Sequence, residues 1–479
     1  MSASIGTLRA GRVDWRWIAS IIAISCLLGA MLGHPQFRFA VLAFSIFSLS
    51  LYLALRHPLT TIALIAFLGA LQDATQIATY LGQNSIRLTD PISLAVLVSL
   101  VLKIMTGTPI ERRSIPKALF FLFALFGWLA LQLAASYPRF GFNALGEFRT
   151  HYMYLFLVPY VGMFGSSREE RARLLKGLIT VSLLFVFAAL LRVGLDPNAT
   201  LNVRVLSATS GLALLFGLVG ALILANRRML EKDAWIRVLA VPSGLLIVFT
   251  AHRSVWLASI VALVVLLLVR EFGLARKLQV LLVAILALFG AFVALSSVGQ
   301  EPIPFVEERA RAFTDPTLDP TSAWHQYLWE QSLARIEAEP WQGQGLGTYF
   351  QLRGPAGEIV ATSPHNLYLS IPLQVGVPGL FLYLGFVLTL LAALVRASRS
   401  QATPSTDRAI ITMGMVVLLS ASTFYIAYPL EGDWMSWAYV GLAVAALRAG
   451  SANSAPPTEG PRTHAQRPTQ PPNVGSTSL

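Results

Sequence analysis

The sequence predicts an all-α protein, a polytopic transmembrane helical bundle of about fourteen spans with one long periplasmic loop containing a partly amphipathic helix. Three observations carry that expectation. The 479-residue chain is 55% hydrophobic and only 13% charged, about half the roughly 25% charge of a soluble domain. Its mean hydropathy is +0.64. Many of its apolar runs approach the roughly 20 residues that cross a bilayer as a helix. Soluble multidomain architectures are excluded by that composition.

Hydropathy and charged breaks place spans at 15–33, 38–55, 58–78, 88–105, 117–136, 149–165, 174–192 and 206–225 in the first half. The second half gives 235–250, 253–269, 277–297, 366–395, 409–427 and 434–449. Residues 1–297 thus read as an N-terminal transmembrane bundle, 298–365 as the large hydrophilic loop and 366–449 as the C-terminal spans. Residues 450–479, rich in Ser, Pro, Thr and Asn, read as a disordered cytoplasmic tail. Arg9, Arg12 and Arg16 precede the first run in the manner of a signal peptide. That run has no small-residue cleavage site, and Pro35 leads straight into another, so it reads as a retained span. Cys26 is the single cysteine, which excludes an intrachain disulfide.

The net charge of +12 follows from membrane topology. With the N-terminus inside, roughly two thirds of the Lys and Arg fall on inner segments. All five lysines (Lys103, Lys117, Lys176, Lys232, Lys277) are among them. Both termini are expected in the cytoplasm, and nucleic acid is not an expected partner. The outer face is left net acidic, so arginines close to it call for individual explanations.

Within the loop, Asp319-Pro320 reads as an N-cap with proline at the first helical position. Trp329, Leu333 and Ile336 recur at helical spacing, and the helix should stop before Pro340. It is expected either on the membrane surface or as a lid over the bundle. Gly343-Gln344-Gly345-Leu346-Gly347 follows. Alternating glycines allow positive φ, and two readings stand: backbone amides facing an anion, or a tight turn after a helix. Pro364-His365-Asn366 then opens an apolar span that carries Gly376-Val377-Pro378-Gly379.

Taken in order, Glu339-Pro340-Trp341-Gln342-Gly343-Gln344-Gly345-Leu346-Gly347-Thr348-Tyr349-Phe350, Pro364-His365-Asn366-Leu367-Tyr368-Leu369 and Gly376-Val377-Pro378-Gly379-Leu380 resemble the signature of the O-antigen ligase and O-antigen polymerase superfamily. His252-Arg253-Ser254 resembles the arginine element that this family carries at the outer start of a span. Two positions depart from the pattern. His325 stands where many relatives have arginine, and Gln374 replaces the usual acid before Gly376.

The resemblance implies a bacterial inner-membrane enzyme. It would move a glycan from an undecaprenyl-pyrophosphate carrier to an acceptor hydroxyl at the periplasmic face. The acceptor would be a lipid core sugar or a growing carrier-linked polysaccharide. Membrane lipids, a flippase and a chain-length regulator are the other expected partners. No cofactor and no metal are expected, and single displacement by a hydroxyl inverts the anomeric carbon.

The residue chemistry agrees with that reaction. Guanidinium groups grip phosphate oxygens bidentately and stay charged, which stabilises a departing diphosphate. Arg253 is the first candidate, with Arg204 and Arg149 as further substrate-binding groups. His365 would take or orient the hydroxyl proton, since an imidazole titrates near neutrality. Asn366, Gly345, Gly347 and Asp433 complete the expected substrate-binding set. Glu431-Gly432-Asp433 also reads as an acceptor-positioning or solvated loop, and Asp73 as an ionisable residue near the outer part of a span. The alternative function is a multispan transporter of a glycolipid or small anion. That reading predicts midplane charge and internal repeats, and the sequence displays little of the first and none of the second.

Overall fold

The computed structural model describes residues 35–57, 90–105, 116–163, 167–195, 206–227, 234–249, 252–269, 272–297, 320–353, 359–401, 403–430 and 433–453, with a few positions between 60 and 68. The expected first span, most of the third with Asp73, the loop carrying Arg204, Glu431 and the tail beyond 453 lie outside the described residues.

The first half comprises α1 (Pro35–Arg56), α2 (Asp90–Met105), α3 (Lys117–Phe140), α4 (Phe142–His151), a 3-10 turn (Met153–Phe156), α5 (Leu157–Met163), α6 (Arg168–Leu195) and α7 (Ala208–Asn226). Then follow α8 (Ala234–Phe249), α9 (Arg253–Leu268), α10 (Leu274–Ser297), α11 (Pro320–Ala338), α12 (Leu367–Arg399), α13 (Ser405–Phe424) and α14 (Trp434–Asn453). Five of these helices are long and apolar enough to cross a membrane by length and composition: α3, the segment Arg168–Leu190 of α6, α7, α12 and α13. Segments of α1, α5, α8 and α9 are apolar but shorter.

Two expected spans differ in kind. The run drawn at 149–165 is three pieces, breaking around Tyr152 (φ −114°, ψ −22°). Buried His151 lies near its start, and buried Glu147 just before it. The run drawn at 366–395 breaks at Gly376 (φ 76°, ψ 169°). The all-α expectation also needs one amendment: Phe350–Arg353 (β1) and Ile359–Thr362 (β2) form an antiparallel hairpin, with Phe350 opposite Thr362. Gly354, Pro355 and Gly357, followed by the β-branched Ile359, Val360 and Thr362, were its sequence signal.

The chain ends interleave. α14 packs on α5, α12 on α3 and α9 on α13, so C-terminal helices complete a core begun by N-terminal ones. Glycines permit the closest approaches. A Cβ on Gly441 would lie 2.9 Å from the Leu157 and Val158 carbonyls. Buried Trp437, Tyr439, Phe386 and Phe424 supply much of the filling.

At the bundle end away from the loop, Arg171 on α6 grips Asp407 on α13 through two bonds of 2.7 and 2.9 Å, both side chains buried. Such a fork–fork pair satisfies both charges where neither alone would be tolerated. Side chains of α10 such as Leu278, Ile285, Leu288 and Phe289 are exposed, the surface expected to meet lipid acyl chains.

Candidate functional site

The site is assembled where α11, the hairpin and the broken helix α12 meet. A helix break leaves backbone groups unpaired, and apolar surroundings tolerate that only if protein supplies partners. Here the glycine loop does so. Gln344 donates its amide to the Leu373 carbonyl over 2.7 Å, and Gly345 to the Gln374 carbonyl over 3.1 Å. Val377 returns a bond to the Pro340 carbonyl at 2.8 Å, while Trp128 Nε1 on α3 donates to the Val375 carbonyl at 2.7 Å. The two glycine motifs are therefore halves of one clasp.

Close approach requires those glycines. Gly343, Gly345 and Gly347 have φ of 66°, 97° and 94°, a region side chains disfavour. A Cβ on Gly376 would sit 2.2 Å from the Trp341 carbonyl oxygen, and one on Gly343 would sit 2.6 Å from the Gly376 nitrogen. Of the two readings of the loop, the turn is the one seen. Gly343 donates to Glu339, Gly345 to Gln374, and Leu346 to Ser136 Oγ. These amides bind protein acceptors. Gly345 and Gly347 also press against Ser136, Phe140 and Ala144 of the α3–α4 corner.

α11 runs from Pro320 to Ala338, stopping before Pro340 as expected. It lies on the first half of α12 and the hairpin, around a small separate core of Leu328, Phe350 and Leu373, with Trp324, Trp329 and Ile336 against it. It is thus a lid packed on the bundle. Trp329 Nε1 donates to the Pro364 carbonyl at 3.0 Å, and the Arg335 guanidinium lies 4.2 Å from the centre of the Phe350 ring.

His365 follows Pro364 with φ of +50°, the one positive φ outside glycine among the described residues. Such a conformation costs about 1–3 kcal/mol and persists only where its surroundings enforce it. The enforcing contacts are on both sides. Trp329 holds Pro364. Asn366 caps α12, accepting from the amides of Tyr368 and Leu369. Leu367 donates its amide to the Tyr425 carbonyl at 3.0 Å. The half-buried imidazole has Nε2 3.4 Å from the Thr362 hydroxyl, with the Trp324, His325 and Tyr428 rings 5.4, 5.3 and 6.4 Å away.

Tyr428 connects His365 to the arginine motif. Its ring is also 6.4 Å from His252, at 90°. His252 N-caps α9, whose first residue is Arg253, and its Nε2 donates to the Leu206 carbonyl at 3.2 Å. Two motifs far apart in sequence therefore converge on one phenol ring.

The other candidates have more local roles. Arg149, 24% exposed, pairs with buried Asp90 at 3.0 Å. Asn366 commits its amide oxygen to the α12 cap. Asp433, expected to contact substrate, is instead buried. Its oxygens take the Ser436 amide and hydroxyl and the Tyr425 hydroxyl. Burial holds its carboxyl above the ordinary range, against the pull of those hydrogen bonds. Asp433 thus steadies Tyr425, whose carbonyl in turn holds Leu367 beside His365.

A buried acid that sequence reasoning passed over explains the departure at Gln374. Glu147 on α4 accepts the Tyr349 hydroxyl at 2.6 Å and the Gln374 amide, with His151 Nδ1 at 3.1 Å. Gln374 in turn accepts from Tyr152 at 2.9 Å. An acid at 374 would face this carboxylate, whereas an amide completes the network.

Residues 238–384, about a third of the chain, match the O-antigen ligase family model. The matched segment contains Arg253, α11, the clasp, the hairpin and His365. No curated protein matches the chain significantly.

Proposed function

Because residues 238–384 carry the O-antigen ligase domain of the ligase and polymerase superfamily, we propose that this chain is a metal-independent glycosyltransferase of the bacterial inner membrane. It takes a glycan from an undecaprenyl-pyrophosphate donor and passes it to an acceptor hydroxyl at the periplasmic face. The distribution of basic residues supports cytoplasmic placement of both termini. The observation that carries this reading is His365, held in left-handed backbone beside Tyr428 while Tyr428 also meets the residue preceding Arg253.

In the reaction, the acceptor oxygen forms a bond to the anomeric carbon from the face opposite the diphosphate. The carbon–oxygen bond to the carrier breaks, and its electron pair leaves with the diphosphate. The hydroxyl proton passes to the neutral imidazole of His365, which the adjoining positive end of α12 keeps from protonating early. Arg253 offers its guanidinium fork to the developing negative charge. Arg204 assists in holding the anionic donor. The glycine clasp and Asp433 fix the backbone on either side of His365.

The test is chain growth or capture by the purified protein, given a carrier-linked glycan and a lipid-core or carrier-linked acceptor in EDTA. His365→Ala and Arg253→Lys should each abolish most transfer, by about 10²-fold or more, while the proteins remain folded. Wild-type turnover in both variants would overturn the assignment.

A further inference from the structure

The transfer reading gives His365 one proton to accept, yet the structure puts a second imidazole beside it. The His325 ring centre lies 5.3 Å from that of His365, with the ring planes at 62°. Trp324 is 5.6 Å from the first and 5.4 Å from the second. The histidines come from separate elements, His325 from α11 and His365 from the turn into α12. Their spacing is fixed by the Trp329–Pro364 bond and the core beneath α11. Both rings are half-buried.

Among the described residues, the elements that carry or pack against the pair bring these charged and titratable groups. On α11, Glu330 accepts from Gln326, and Arg335 faces Phe350 of the hairpin. From β2 comes the Thr362 hydroxyl. From the segment after α13 comes Tyr428, with His252 and then Arg253 beyond it. Among the described residues, cations and neutral groups predominate on this list.

Two imidazoles this close resist carrying two protons, so protonation of one depresses that of the other. The environments are unequal. His365 sits immediately before the N-cap of α12, where the helix field opposes added positive charge. His325 lies in the second turn of α11, where that field has largely decayed.

Resting on the transfer reading, we propose that His325 is a second catalytic group: protonated, it faces the donor diphosphate and keeps His365 neutral and ready to accept the hydroxyl proton. The acceptor proton moves to His365 as the new glycosidic bond forms. The electron pair of the broken bond goes to the diphosphate, against the His325 imidazolium and Arg253. One cationic and one neutral imidazole are both required, so turnover has an acidic and an alkaline limb.

The experiment compares pH profiles of glycan transfer for the full-length wild type, His325→Arg and His325→Gln in lipid nanodiscs. The wild type should give a bell. His325→Arg carries a permanent charge and should lose the alkaline fall while its acidic limb stays with that of the wild type. His325→Gln should lose about 10²-fold in kcat, and its acidic limb should move up by about 0.5–2 pH. Identical acidic limbs in all three proteins would overturn the pairing. A merely structural His325 would lower turnover without moving either limb. Should the wild type transfer no glycan, the transfer reading fails on its own. The pair is then tested by nitrogen NMR of the imidazoles in wild type and His325→Gln, with inorganic pyrophosphate as the added anion. A His365 titration unchanged by the substitution overturns the inference there too.

Discussion

Gly345 donates its amide to the carbonyl of Gln374 across 3.1 Å, and through that bond a loop outside the helices repairs a break inside one. The break at Gly376 turns α12 so that its first half runs under α11 and begins beside His365. Backbone complementarity is thus the means by which the glycine motifs serve the site. They position it from a distance.

Gly376→Ala should therefore be among the most damaging single-methyl additions in the chain. The new Cβ meets the Trp341 carbonyl at 2.2 Å, in a φ that alanine disfavours. Loss of more than about 3 kcal/mol is expected, read as a drop in thermal midpoint in detergent. Gly127→Ala, on α3 with nothing within 4 Å, should be neutral or gain about 0.5–1 kcal/mol.

His365→Gly and His365→Ala separate backbone from imidazole. Both remove the proton acceptor, so both should lose transfer by about 10²-fold or more. Only glycine adopts φ of +50° without strain, so His365→Gly should be the more stable of the two by about 1 kcal/mol. Equal midpoints would show that the turn relaxes when the histidine is gone.

Gln374→Glu would set a second carboxyl against Glu147. One of the two must then stay protonated in the folded state, its pKa raised above that of the unfolded chain. Such a group binds more protons folded than unfolded, so the variant should lose stability as pH rises from about 4 through that raised value. Midpoints measured from pH 4 to 8 should diverge steadily from wild type. Parallel curves would mean the network rearranges.

Asp433 offers the corresponding test in the native protein. Its carboxyl is raised by burial, so its contribution to stability is full below the ordinary Asp range and declines as pH climbs through the folded value. Asp433→Asn keeps a capping side chain without that titration. The wild type should lose stability relative to Asp433→Asn as pH rises through the raised value. A constant difference would argue that the carboxyl does not change charge in this window.

Much of the architecture was legible before any coordinates. The expected bounds of α2, α7, α8, α9 and α11 lie within a few residues of those observed, because apolar length and charged or proline breaks act locally. The bonds that tie Tyr152 to Gln374 and Gln374 to Glu147 were not legible, since they span 222 and 227 residues. Nor was the capping role of Asp433, which read as a loop acid until Tyr425 and Ser436 closed over it.

Composition and periodicity determined that this chain is a helical membrane protein, and the order of its motifs pointed to the family whose model matches residues 238–384. What only the folded molecule decided was which motif touches which. The glycine runs face each other, and His365, Tyr428 and His252 share one corner. Burial and hydrogen bonding between distant segments set those pairings, and such complementarity leaves no local trace along a chain.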